Sequence, residues 1–131
     1  MSAGTPQVTG GSALVADDSI AVRRVVSARL RRDGYEVREA ADGDEAWRLL
    51  EERAPDVLLV DDVLPGLSGP ELVLALRARK RTAHVRVAFL VEYASGLRRA
   101  ALVGVPEHAV IRKPFDLDEV SGRVRAIAGE R

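Results

Sequence analysis

Val57, Leu58, Leu59 and Val60 form an unbroken apolar run inside "PDVLLVDDVLPG", and the run is only four residues long. A strand with one wet face alternates apolar and polar side chains; this one has no polar face. It therefore belongs in the middle of a parallel sheet, covered by helices on both sides. The run ends on two adjacent carboxylates, Asp61 and Asp62. Like charges at the end of a buried strand do little for stability, so a chemical role is the first thing to ask of them.

The rest of the chain supplies partners for such a strand. Short apolar runs recur at "ALVA" (13–16), "YEVREA" (35–40), "VRVAFLV" (85–91) and "HAVIR" (108–112), with the second alternating like a strand near a sheet edge. Amphipathic segments lie between them. Ser19 can cap a helix that places Val22, Val25, Val26 and Leu30 on one face, and Gly34 stops it. Asp42-Gly43 reads as a turn, after which Asp44 caps a helix carrying Ala46, Trp47, Leu49 and Leu50 inward. Trp47, the only tryptophan, is expected in the core. Pro70 starts a helix with Leu72 and Leu76 inside, "SGLRRAALVG" (95–104) forms a short one, and Asp116 opens the last, striped by Val120, Val124 and Ile127. Strands alternating with helices predict an α/β fold with a parallel sheet wrapped on both faces. The 131 residues suit one domain: a flexible tail over 1–11, rich in Gly, Ser, Thr and Pro, and a folded unit over 12–131.

Composition removes several classes of function. Twenty basic and twenty acidic residues cancel, so no global field draws the chain to nucleic acid or to an anionic membrane. The dense basic run "RARKR" (77–81) reads as a solvated helix end, with a docking patch as the alternative. There is no cysteine, which excludes disulfides, thiolate catalysis and cysteine–zinc sites. His84 and His108 stand apart and are expected on the surface or in loops. No stretch spans a bilayer and no signal peptide opens the chain, so a cytoplasmic location is expected.

In open parallel sheets, ligands bind beyond the carboxyl ends of the strands. Three strands deliver charge there: the first at Asp17-Asp18, the third at Asp61-Asp62 and the fifth at Lys113-Pro114. Bare carboxylates crowded at one edge repel each other, and a hard cation relieves this. Oxygen ligands of this kind favour Mg²⁺. A lysine among them adds a fixed positive charge for a phosphoryl oxygen. The combination suits transfer of a phosphoryl group onto an aspartate nucleophile.

Three motifs now stand in order: "LVADDS", "PDVLLVDDVLPGLSG" and "IRKPF". Together the chain resembles, over roughly residues 12–128, the receiver domain of bacterial two-component response regulators (the CheY-like superfamily). The resemblance implies a doubly wound, flavodoxin-like (βα)5 fold with strand order 2-1-3-4-5. It implies a signalling domain that accepts phosphate, with no enzyme activity beyond assisting its own phosphorylation and dephosphorylation. In that family the acceptor precedes the loop proline by four residues, which selects Asp61 against Pro65. Asp17, Asp18, Asp61 and the backbone carbonyl of Val63 correspond to the Mg²⁺ ligands, Lys113 to the phosphoryl-binding lysine, and Lys113–Pro114 to a frequent cis bond. Asp62 stands where an apolar residue is usual. It reads as a solvated acid turned away from the pocket, or alternatively as an added ligand or electrostatic tuner.

The same resemblance exposes departures. Val91 occupies the position of a Ser or Thr that hydrogen-bonds the phosphoryl group, and Val110 that of an aromatic that turns inward with it. Valine has the shape of threonine and no hydroxyl, and both residues are good strand formers in their own right. Val63 and Tyr93 flank the phosphoryl position without an acid or amide to orient water, which implies slow loss of phosphate. Glu92, where a small residue is usual, either hinders access to the pocket or faces solvent.

The expected donor is a histidine kinase or histidine phosphotransfer protein. The expected output is a protein partner on the fourth helix, fifth strand and fifth helix, with no direct nucleic-acid or membrane contact and a monomer or weak dimer. That expectation takes Arg131 as the end of a protein without an output domain. Phosphate-independent use of the fold as an interaction scaffold is the alternative. An aspartate-nucleophile phosphatase fits poorly, because Val63 stands where those enzymes carry a second acid. No Gly-rich loop ending in Lys-Ser/Thr supports a nucleotide enzyme.

Overall fold

The fold is described from a computed structural model over residues 11–129. The expected tail over 1–11 lies outside these residues except for Gly11. Strand β1 spans Ser12–Ala16, helix α1 Ile20–Arg32, β2 Glu36–Ala40, α2 Gly43–Glu52 and β3 Val57–Asp61. Helix α3 spans Gly69–Arg77, β4 Arg86–Val91, α4 Ser95–Leu102, β5 Val110–Arg112 and α5 Leu117–Ala128. All strand pairs are parallel, and the sheet runs β2-β1-β3-β4-β5. The chain is thus the doubly wound α/β fold, with the winding reversed between β1 and β3.

β3 sits in the centre, with every residue from Val57 to Asp61 buried. Leu14, Leu58, Leu59, Phe89, Leu90 and Ile111 form the fully buried heart of the core. Fully burying side chains of this size stabilises the fold by about 1.5–3 kcal/mol each. Helices cover both faces, and α1 and α5 begin at the caps expected of them. Ser19 Oγ accepts from Val22 N, and Asp116 Oδ1 accepts from Glu119 N. Ser68 and Glu71 close a reciprocal capping box at α3.

Four expectations change in three dimensions. Asp42, not Asp44, caps α2: its backbone is extended and its Oδ1 accepts from Glu45 N at 2.8 Å. The helix has already begun at Gly43, so Asp44 falls in the first turn, where a carboxylate suits the helix dipole. Val25 does not join the apolar face of α1. It is 49% exposed, because the buried stripe runs through Val26 and Leu30. The segment before β5 is a short 3₁₀ turn over Glu107–Ala109, and only Val110–Arg112 pair as a strand. Trp47 packs at the margin of the core, with the Arg79 guanidinium 5.2 Å from its ring centroid.

The basic run 77–81 is largely exposed. Arg77 within it is engaged, donating to the carbonyls of Ala83 and Val85 at 2.9 and 2.6 Å.

Candidate functional site

Each strand that carries charge at its end delivers it to the same edge of the sheet. Asp17 follows β1, Asp61 closes β3 and Lys113 follows β5. Asp17 and Asp61 are buried, and Asp18 is exposed beside them. One carboxylate oxygen from each of the three lies within 4.8 Å of the others. Lys113 Nζ donates to Asp17 Oδ2 at 2.9 Å and to Asp61 Oδ2 at 2.8 Å.

The second oxygens are held by the backbone. Asp17 Oδ1 accepts from Ser19 N at 2.8 Å, and Asp61 Oδ1 accepts from Val63 N at 3.0 Å. Burial pushes the Asp17 carboxyl above the usual carboxylate range, against the opposing pull of the Ser19 N–H and Lys113. Burial also pulls the Lys113 ammonium down, but its hydrogen bonds to Asp61 and Asp17 outweigh that and leave it raised. The pocket thus holds concentrated negative charge under one lysine, with oxygen donors suited to a hard divalent cation. Lys113 N also donates to Val91 O at 2.8 Å, and the Lys113–Pro114 bond is cis.

A family model described as the response regulator receiver domain matches residues 13–125. The chain is a member of that family. The phosphate regulon regulatory protein PhoB of Rhizobium meliloti is 34% identical over 113 residues, covering 86% of this chain and 50% of the relative. This receiver spans about half the length of the curated relatives it matches. Among solved structures, the chemotaxis regulator CheY4 of Vibrio cholerae superposes with a TM-score of 0.83 at 29% identity, covering 91% of this chain and 99% of that one. The receiver domain of the sensor histidine kinase PA1611 of Pseudomonas aeruginosa gives 0.82 at 28% identity, covering 93% of this chain and all of its own. That structure carries a magnesium ion in its active-site cleft.

The remaining positions singled out by sequence surround the pocket of this receiver unequally. Val63 and Tyr93 are 60% and 65% exposed, and Glu92 is exposed as well. Glu92 and Lys113 share a cleft of about 590 Å³ with Ala21, Val22, Val25, Pro114 and Phe115. Val91 and Val110 are buried in the sheet.

Asp62 departs from the expectation of a solvated acid. It is 3% exposed, and its Oδ2 accepts from Arg99 Nε at 3.0 Å and from Arg99 Nη2 at 2.5 Å. Side chains alternate along the strand, so the acid after Asp61 turns toward α4, away from the acidic pocket.

Two arginines escaped the sequence reading. Arg99 meets Asp62 from the fourth helix, and nothing in its local pattern marks it as a partner. Arg23 donates through Nη1 to the Asp17 carbonyl at 2.8 Å and through Nε to Glu39 at 3.3 Å, bracing the turn that holds the acid pair. Its place one turn into α1, beside that pair, was the available signal.

Proposed function

We propose that this receiver accepts a phosphoryl group on Asp61 and signals through a protein partner. The observation that carries the proposal is the three-sided arrangement of Asp61, Asp17 and Lys113, with Asp18 beside it. Asp17, Asp18, Asp61 and the carbonyl of Val63 are the proposed holders of Mg²⁺, which when bound offsets negative charge on the transferring group.

The donor is proposed to be a phosphohistidine on a histidine kinase or phosphotransfer protein. A carboxylate oxygen of Asp61 forms the new O–P bond, and the donor N–P bond breaks with its electron pair returning to the imidazole. Lys113, fixed between the two aspartates, stays charged and pairs with a phosphoryl oxygen. The cleft beside Lys113, lined by the exposed Val25 and by Val22, Pro114 and Phe115, offers apolar surface for the donor to dock. Output through α4, β5 and α5 is supported by exposed Leu102 and by a groove of about 280 Å³ between Leu97, Val110, Arg112 and Arg123.

Incubation with Mg²⁺ and a small phosphodonor such as acetyl phosphate, followed by intact-mass measurement, tests the acceptor. The wild type should gain the mass of one phosphoryl group and Asp61→Asn should gain none. An unchanged wild-type mass under saturating donor overturns the proposal. The valines at 91 and 110 favour a second reading, a scaffold that works without phosphate. It predicts that Asp61→Ala leaves partner binding untouched.

A further inference from the structure

Helix α4 rests directly on the residues that follow the acidic pocket. A Cβ placed on Gly96 would lie 2.6 Å from Val91 Cβ, 2.7 Å from Val91 Cγ1 and 3.0 Å from Asp62 Oδ2. Real side chains do not tolerate the first two distances, so only glycine lets the first turn of α4 approach this closely. One turn later Arg99 reaches back to Asp62 with two nitrogens on one buried oxygen. Among the described residues, no other ion pair ties α4 to the sheet. The backbone of Asp62 is also fixed: its N–H donates to Leu90 O at 3.1 Å, and its carbonyl accepts from Gly69 N at 3.2 Å. The carboxylate is therefore an anchored post rather than a mobile loop group.

We infer that Asp62 and Arg99 form a clamp that holds α4 against the loop after Asp61, and that this clamp sets the position of α4 whether or not Asp61 is modified. Three features point the same way. Val91, under the start of α4, has no polar group with which to follow a change at Asp61. Asp62 has almost no access to water, so leaving Arg99 would strand a buried charge. The Gly96 contact leaves α4 no room to move inward. α4 is accordingly a fixed surface, carrying Leu102 at 77% exposure. The second half of this inference rests on the proposal that Asp61 accepts phosphate; the clamp itself does not.

Hydrogen exchange of the amides of α4, followed by mass spectrometry on the full chain, separates the two. Without any phosphodonor, Arg99→Met and Asp62→Asn should each speed exchange in α4 at least tenfold while α1 and α5 stay within twofold. Arg99→Lys, which keeps the charge, should remain within threefold of wild type. Unchanged α4 exchange in Arg99→Met overturns the clamp, and this variant, altered at a half-exposed side chain, serves if Asp62→Asn does not fold.

With Mg²⁺ and acetyl phosphate, intact mass first reports the fraction modified. At high occupancy, wild-type α4 should exchange within twofold of its unmodified rate. A tenfold change there overturns the claim that α4 is held in both states. If no mass is gained, the acceptor proposal falls, and the variants without donor still decide the clamp.

Discussion

Two neighbouring regions at the same edge of the sheet are built on opposite terms. Around Asp17, Asp61 and Lys113, charges converge on an open pocket, and each side chain is held by at least one hydrogen bond. Around Val91 and α4, the contacts are apolar and close, and a charge pair, Asp62–Arg99, ties the helix down. The first region gathers carboxylates and an ammonium at one place. The second is arranged to stay where it is. Adjacent residues, Asp61 and Asp62, divide between them: one meets Lys113, the other meets Arg99 on a helix. Identical side chains one residue apart thus serve different ends because a strand sends them to opposite sides.

Removing the cation from the first region should have the largest effect. Lys113→Ala leaves two buried carboxylates without their ammonium, and phosphorylation by a small donor is expected to slow about 100-fold, followed as intact mass against time. A rate within threefold of wild type would mean the lysine does not meet the phosphoryl group.

The second region should break asymmetrically. Arg99→Met strands Asp62, whose side chain is 2% exposed, whereas Asp62→Leu strands Arg99, whose side chain is 38% exposed and can turn to water. Urea denaturation should therefore show a loss of about 3 kcal/mol for Arg99→Met and about 1 kcal/mol for Asp62→Leu. Equal losses would contradict the view that Asp62 is the buried member.

Val91→Thr joins the two regions by placing a hydroxyl between them. In the unmodified protein it is expected to cost about 1–2 kcal/mol as a buried hydroxyl without a partner. With a phosphoryl group on Asp61, a hydrogen bond to a charged acceptor contributes about 1.5–3 kcal/mol in return. The difference in melting temperature between modified and unmodified forms should widen relative to wild type. An unchanged difference would place residue 91 out of reach of the pocket.

The smallest effect is one of pH. Lys113 is raised in the folded state, so the stability it contributes is fully present below the ordinary lysine pKa and is lost as pH rises through the higher folded value. Urea midpoints should fall as pH rises above the ordinary lysine pKa of about 10.4 in wild type and fall less in Lys113→Met.

Much of this was legible in the chain. The apolar run 57–60 placed β3 in the sheet centre, and the helices at Ser19 and Asp116 begin where their caps stand. The three charged strand ends came together because a parallel sheet sends all its carboxyl ends to one edge. Asp42 replaced Asp44 as the cap of α2 because two acids two residues apart offer the same chemistry, and only the turn geometry chooses. Val25 lost its place in the core for a related reason: spacing alone does not say how far a helix is rotated against its sheet.

The sequence by itself determined the order of elements, the edge at which the acids and lysine gather, and the difference between Asp61 and a plain strand residue. These follow from periodicity, caps and chain direction, all read within a few residues. Only the tertiary structure decided what Asp62 does. Its partner lies 37 residues away on a helix whose placement depends on packing against Val91 and Gly96. Local pattern carries no information about such a meeting, because it is the packing of α4 on the sheet that brings the two charges within hydrogen-bond distance.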